Sequence, residues 1–146
     1  MRVYACHPMT AYGTDLERRQ LRALRRHFPR AELVDPSTLW SSNDEWLTDW
    51  PRVCTGLDVL AVFADEEGMI GAGCLLELVD AISEGLPVVA LDRAGELRHF
   101  GGFERGSGLW VPRGAVGKLL FGPAVAVLDK ASLRRSRAEV GRPIGS

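Results

Sequence analysis

Residues 59–91 read VLAVFADEEGMIGAGCLLELVDAISEGLPVVAL. An apolar run over 59–64 ends in the acidic turn Asp65-Glu66-Glu67. The chain then passes the spaced glycines Gly71 and Gly73 and enters a helix over 73–84 with Glu77 in an early turn. Gly85 suits the position just past the helix end, where a left-handed backbone is common. A second apolar run occupies 87–91. The order is strand, loop, helix, strand. Unbroken apolar runs of this length suit strands covered on both faces, and parallel strands need such a crossover. The stretch therefore predicts an α/β fold, a doubly wound and mostly parallel sheet. It also sets Glu77 close to where a strand's carboxyl end meets a helix's amino end, the crevice in which open α/β sheets bind ligands.

Working outward, residues 2–5 form a short apolar run that predicts a first strand. A helix is expected over 15–27, with Thr14 and Glu17 spaced as a capping box and Leu16, Leu21, Leu24 and Phe28 near helical spacing. Residues 31–34 predict a second strand, stopped by Asp35-Pro36. The tryptophan-rich segment 41–50 predicts a helix entered from Ser42 or Asn43 and disturbed by Pro51. Residues 93–123 are rich in glycine and are expected to form a long loop, either a lid or a subunit contact. A last strand over 124–128 and a basic helix over 130–140 complete the reading, so residues 1–146 are expected to make one domain.

Composition sets the limits. The 146 residues are 46% hydrophobic and 25% charged, with a formal net charge of -1. That balance gives no general case for a nucleic-acid or membrane partner. No apolar run approaches the length of a bilayer span, and the start MRVYACHP lacks a signal-peptide core. Cys6, Cys54 and Cys74 are odd in number and lack CxxC spacing, which argues against a disulfide frame or a zinc site and suits a reducing cytoplasm. No metal and no cofactor are expected.

The chemistry centres on Glu77. A glutamate early in a helix is favoured by the macrodipole, and Glu77, Asp80 and Glu84 share a stripe that reads as a wet face on spacing alone. Gly71 and Gly73 tip the balance toward function, because they let another molecule approach the backbone before the helix.

The pattern GAGCLLELVDAISEGLPVV resembles the signature of the nucleoside 2-deoxyribosyltransferase superfamily, with Gly73 four residues before Glu77-Leu78, then Ala81, and Gly85 eight residues after Glu77. The start RVYACHPMT is similar to that family's first strand and substrate loop, and AELVDPS to its second strand and following turn. The resemblance covers residues 1–92. It implies a flavodoxin-like Rossmann fold and cleavage or exchange of an N-glycosidic bond. By this resemblance Glu77 is the nucleophile that attacks the anomeric carbon, in keeping with retaining glycoside chemistry. That role needs an ionised carboxylate, which the helix amino terminus would favour.

The family also implies an aspartate that protonates the leaving base. The expected offset from Asp58 falls on Trp50, so its neighbour Asp49 is the candidate acid. Asp58 itself reads as a strand-start turn residue. His7 replaces a glycine-type residue of the first loop and is expected near the ligand. Tyr4, Met9, Thr10 and Tyr12 bracket that loop and suit stacking on a base or bonding to a sugar. Each tyrosine also reads as an ordinary strand or loop anchor. Asp65 is a candidate for ribose hydroxyls, beside the plainer reading of a solvated turn. Trp40, Trp46 and Trp50 either wall a pocket or meet a second subunit. Arg18, Arg22, Arg25 and Arg26 read as the solvated face of the first helix.

The function expected is therefore a cytoplasmic N-glycosidase or deoxyribosyltransferase. It would act on a small-molecule nucleoside or nucleotide, with a homodimer or higher homo-oligomer as the one macromolecular partner in view. The alternative is a non-catalytic nucleotide-sensing domain on the same fold.

Overall fold

Apolar alternation in the first strand divides the molecule into its two cores. In β1 (Arg2–Cys6) the side chains of Val3 and Ala5 point to one face and those of Tyr4 and Cys6 to the other. The computed structural model describes residues 1–105 and 115–125. After β1 come α1 (Asp15–His27), β2 (Glu32–Val34), the short α2 (Pro36–Leu39), α3 (Asn43–Thr55) and β3 (Val59–Val62). Then follow β4 (Met69–Gly71), α4 (Ala72–Ser83), β5 (Val88–Leu91), β6 (Leu97–Arg105) and β7 (Ala115–Ala124). Ala23, Leu24 and Phe28, on α1 and at its end, pack on Val3, Ala5, Val59 and Ala61. Trp50, Val53, Cys74 and Leu78 from α3 and α4 pack on Tyr4, Cys6, Leu60 and Val62. Helices thus cover both faces of the sheet.

The seven strands run in the order β2-β1-β3-β5-β6-β7-β4. The centre is parallel, with Tyr4 paired to Val34 and Leu60, and Leu60 to Val88. The remaining pairings, β5 with β6, β6 with β7 and β7 with β4, are antiparallel. The sheet is therefore mixed, and the expectation of a mostly parallel one holds for its centre. The order of connection changes sides at β1, since β2 lies to one side and β3 to the other, all three running parallel. That switch point opens at the carboxyl ends of β1 and β3.

Three expectations need correction. The glycine-rich stretch 93–123 is not one long loop: among its described residues β6 and β7 form a long antiparallel pair, and 106–114 lie outside the described residues. Gly101, Gly117 and Gly122 serve that pairing, each set closely against facing backbone. A Cβ on Gly101 would come within 2.9 Å of the backbone of Phe121 and Gly122, and Gly102 takes φ +99° where the register shifts between Phe100 and Phe103. Second, α3 runs through Pro51 to Thr55. Proline in a helix interior costs about 3 kcal/mol, whereas burying Trp50, Val53 and Cys54 returns about 1.5–3 kcal/mol for a large side chain, so the helix continues. Third, of the strand expected over 124–128, Ala124 is the last residue of β7 and Val125 lies past it, while 126–128 fall outside the described residues. The helix expected over 130–140 lies outside the described residues. The sequence reading also passed over α2 and β4, both too short for periodicity to register.

Where the sequence reading worked, the local chemistry is plain. Thr14 Oγ1 accepts from Glu17 N at 3.3 Å, and the Glu17 carboxylate turns back to accept from Gly13 N at 3.2 Å. Gly85 closes α4 at φ +77°. Gly85→Ala is expected to lower stability by about 1–2 kcal/mol, the cost of a left-handed backbone for a residue with a Cβ. A lower urea midpoint at unchanged slope would show it.

Candidate functional site

Glu77 is the sixth residue of α4, on the stripe that Cys74, Leu78 and Ala81 carry into the core. It is 5% exposed, so the wet-face reading of its stripe fails at this residue. Both carboxylate oxygens are engaged. Tyr4 Oη and Trp46 Nε1 donate to Oε2, the latter at 3.2 Å, while Cys6 Sγ donates to Oε1 at 3.5 Å. Tyr4 and Cys6 come from the inward face of β1 and Trp46 from α3. The carboxylate is therefore held at the carboxyl end of β1 by three donors from two separate elements.

Burial dominates its electrostatics. Desolvation pushes the Glu77 carboxyl up to about 7, against the pull of the bonds from Tyr4, Trp46 and Cys6 and of the nearby His7. The expectation that the helix terminus keeps it ionised is corrected here. Glu77 lies beyond the first turn of α4, where the dipole has largely decayed, and desolvation is the larger effect. Burial, followed by the charge of Glu77, likewise raises the Tyr4 and Tyr12 hydroxyls well above the usual tyrosine range. Near neutrality the site thus holds a carboxyl poised to titrate among hydroxyl groups that stay protonated.

The three indoles share a role that the sequence did not disclose. Trp40 Nε1 donates to Asp49 at 3.0 Å, Trp46 to Glu77, and Trp50 to Asp80 at 2.9 Å. Trp50 is core, tilted against Tyr4 with ring centroids 4.9 Å apart. Trp46 is half-buried and walls the site. Its ring also covers Gly73, where a Cβ would sit 3.8 Å from Trp46 Cη2. It is therefore the indole that approaches Gly73. Gly71 is the N-cap of α4 and the last residue of β4.

Asp49 is not beside Glu77 in bonding terms. Its carboxylate is bound by Arg52 Nε at 2.7 Å and by Trp40, and these bonds hold it below the usual aspartate range. An ionised, paired carboxylate is a poor proton donor. Met9 is 69% exposed in a 3-10 turn over Met9–Ala11, and Thr10 stands in the same turn. Asp65 accepts from Glu67 N and Met69 N, the plain turn chemistry expected of it. It lines a cleft of about 970 Å³ against α1, on the opposite face from Glu77. A second cleft, of about 510 Å³, runs past Trp40 and Asp49 on the outside of α3. Glu77 lines neither.

His7, expected near the ligand, stands between two carboxylates. It is 3% exposed, with Nε2 3.3 Å from Asp35 Oδ1 and Nδ1 3.7 Å from Glu17 Oε2. Tyr12 packs edge-on against it at 4.7 Å. Sequence reasoning missed Cys74 as a neighbour of Glu77. The signal was there, because Cys74, Leu78 and Ala81 mark the inward stripe of α4 and Glu77 falls on it.

Among the described residues no helix is long and apolar enough to cross a membrane. Comparison of the chain with family models, with curated proteins and with solved structures finds no match.

Proposed function

We propose that the protein cleaves or transfers the N-glycosidic bond of a nucleoside, nucleotide or related N-glycoside, with Glu77 as the nucleophile that forms a glycosyl-enzyme. The observation that carries this reading is the buried carboxylate of Glu77, fixed by Tyr4, Cys6 and Trp46 at the carboxyl end of β1 and raised to about 7. A carboxylate desolvated in this way is a stronger nucleophile and a better partner for an oxocarbenium-like centre than one in water. Loss of the proton from Glu77 is the first requirement, so activity should rise with pH through about 7. The sugar reaches Oε1 or Oε2 when the half-buried Trp46 gives way, and attack forms the ester as the base departs. Water or a second base then takes the sugar. The strand order around β1 supports a flavodoxin-like reading of the centre, and the free thiols of Cys6, Cys54 and Cys74 support a reducing cytoplasm.

The test is base release, followed by liquid chromatography, from a pool of nucleosides, deoxynucleosides, their monophosphates and NAD. Release by the wild-type protein, with or without an acceptor base, is the expected result. An intact pool would sink the enzyme reading.

One observation favours a second reading, a non-catalytic nucleotide-binding domain. Asp49, the acid that the family resemblance implies, is tied to Arg52. Asp49→Asn separates the cases. If the leaving base takes its proton elsewhere, turnover should fall less than about tenfold; a loss of about 10²–10⁴ would restore Asp49 as the acid. Absence of any turnover to lose would favour the binding domain.

A further inference from the structure

Cys6, Cys74 and Glu77 are separated in sequence, yet one ligand atom from each lies within 4.8 Å of the other two. All three residues are buried, and both cysteines are free thiols. Cys6 Sγ lies 3.5 Å from Glu77 Oε1. In a tetrahedral zinc site, bonds of about 2.3 Å to sulfur and about 2.0–2.2 Å to oxygen place those two atoms about 3.5 Å apart. That edge already exists. The second sulfur, Cys74 Sγ, lies at most 4.8 Å from each of the other two ligand atoms, which is within about 1.3 Å of tetrahedral separation.

We propose that Cys6, Cys74 and Glu77 form a binding site for a thiophilic divalent cation, Zn²⁺ or Cd²⁺, that closes on the carboxylate of Glu77. The donor set, two thiols and one carboxylate, selects soft and borderline ions over Mg²⁺ or Ca²⁺. Binding forms two metal–sulfur bonds and one metal–oxygen bond, releases the two thiol protons and any proton held by the Glu77 carboxyl to solvent, and leaves a fourth position for water. Two thiolates and a carboxylate around a doubly charged ion leave one surplus negative charge. It falls partly on Glu77 Oε2, where Tyr4 and Trp46 already donate. The ion occupies the oxygen that faces Cys6. It therefore competes with any electrophile for Glu77, although the site itself does not depend on what the protein turns over.

The full chain, reduced and freed of metal, is titrated with Cd²⁺ while the ultraviolet thiolate-to-cadmium band is followed. The expected result is a band that saturates at a stoichiometric end point and is displaced by Zn²⁺ but not by Mg²⁺. Even outer-shell partners of a metal are worth about 10- to 100-fold in affinity, so Cys74→Ser should weaken binding by at least about 100-fold. Cys54→Ser, which removes the thiol outside the cluster, should leave it unchanged. The folded wild-type protein alone decides the question if Cys74→Ser does not fold. No saturable band in the native chain overturns the proposal, and so does a band that survives in Cys74→Ser or vanishes in Cys54→Ser. Base release plays no part in this readout, so its outcome is independent of the N-glycosidase reading.

Discussion

Glu77→Gln should reduce base release by on the order of 10⁴-fold or more while leaving ligand affinity within a few-fold of wild type. Glutamine keeps the volume and one acceptor oxygen but cannot form the glycosyl ester. The stub of activity left would come from binding and orientation alone. Single-turnover base release and equilibrium binding, measured on the same two proteins, check the two halves separately. A variant that releases base at the wild-type rate would remove Glu77 from the chemistry. A variant that neither binds nor turns over would instead point to a collapsed site. Circular dichroism and the urea midpoint would identify that case, because Tyr4, Cys6 and Trp46 all lean on this one side chain.

The second large effect is on stability and needs no substrate. The Glu77 carboxyl titrates at an ordinary 4.5 when unfolded and at about 7 when folded, chiefly because burial disfavours its charge. Between those values the folded chain keeps a proton that the unfolded chain has released. Stability from this group is fully present below about pH 4.5, falls as pH rises toward 7, and is flat beyond. The span corresponds to about 3 kcal/mol. Glu77→Gln cannot titrate, so the difference between the two urea-denaturation profiles should carry this slope and nothing else. Asp35, Asp49 and Asp92, whose carboxyls are held low, act in the opposite sense and at lower pH. A difference profile flat from pH 4.5 to 7 would mean that Glu77 is solvated in solution.

Much of this was readable from the chain because local rules and tertiary ones agreed. The helix from Asp15 to His27 has a capping residue, helical spacing and Pro29 beyond its end, and it lies where the sequence puts it. The stretch through Glu77 is similar. The antiparallel pair was not readable because Gly101, Gly117 and Gly122 fit against facing backbone, a constraint set by the neighbouring strand. In sequence such glycines look like loop. The charge state of Glu77 was also hidden. A glutamate's helix position can be counted, but the three donors that surround it come from β1 and α3, and its desolvation depends on how those elements close. Asp49 shows the converse, since a place one residue from the expected offset could not reveal that Arg52, one helical turn on, would claim the carboxylate.

β4 has a further consequence. Among the described residues it sits at the end of the sheet and pairs with β7 alone, and it runs straight into α4. The helix that carries Glu77 therefore starts from a strand whose partner is made only after the chain has passed Ala115. During synthesis β1, β2 and β3 can assemble early, whereas the amino end of α4 has nothing to pair with until β7 emerges. Long-range pairing of this kind slows folding. The carboxylate is then among the last parts of the molecule to be set in place, so a nascent or truncated chain would carry a sheet before it carried a site.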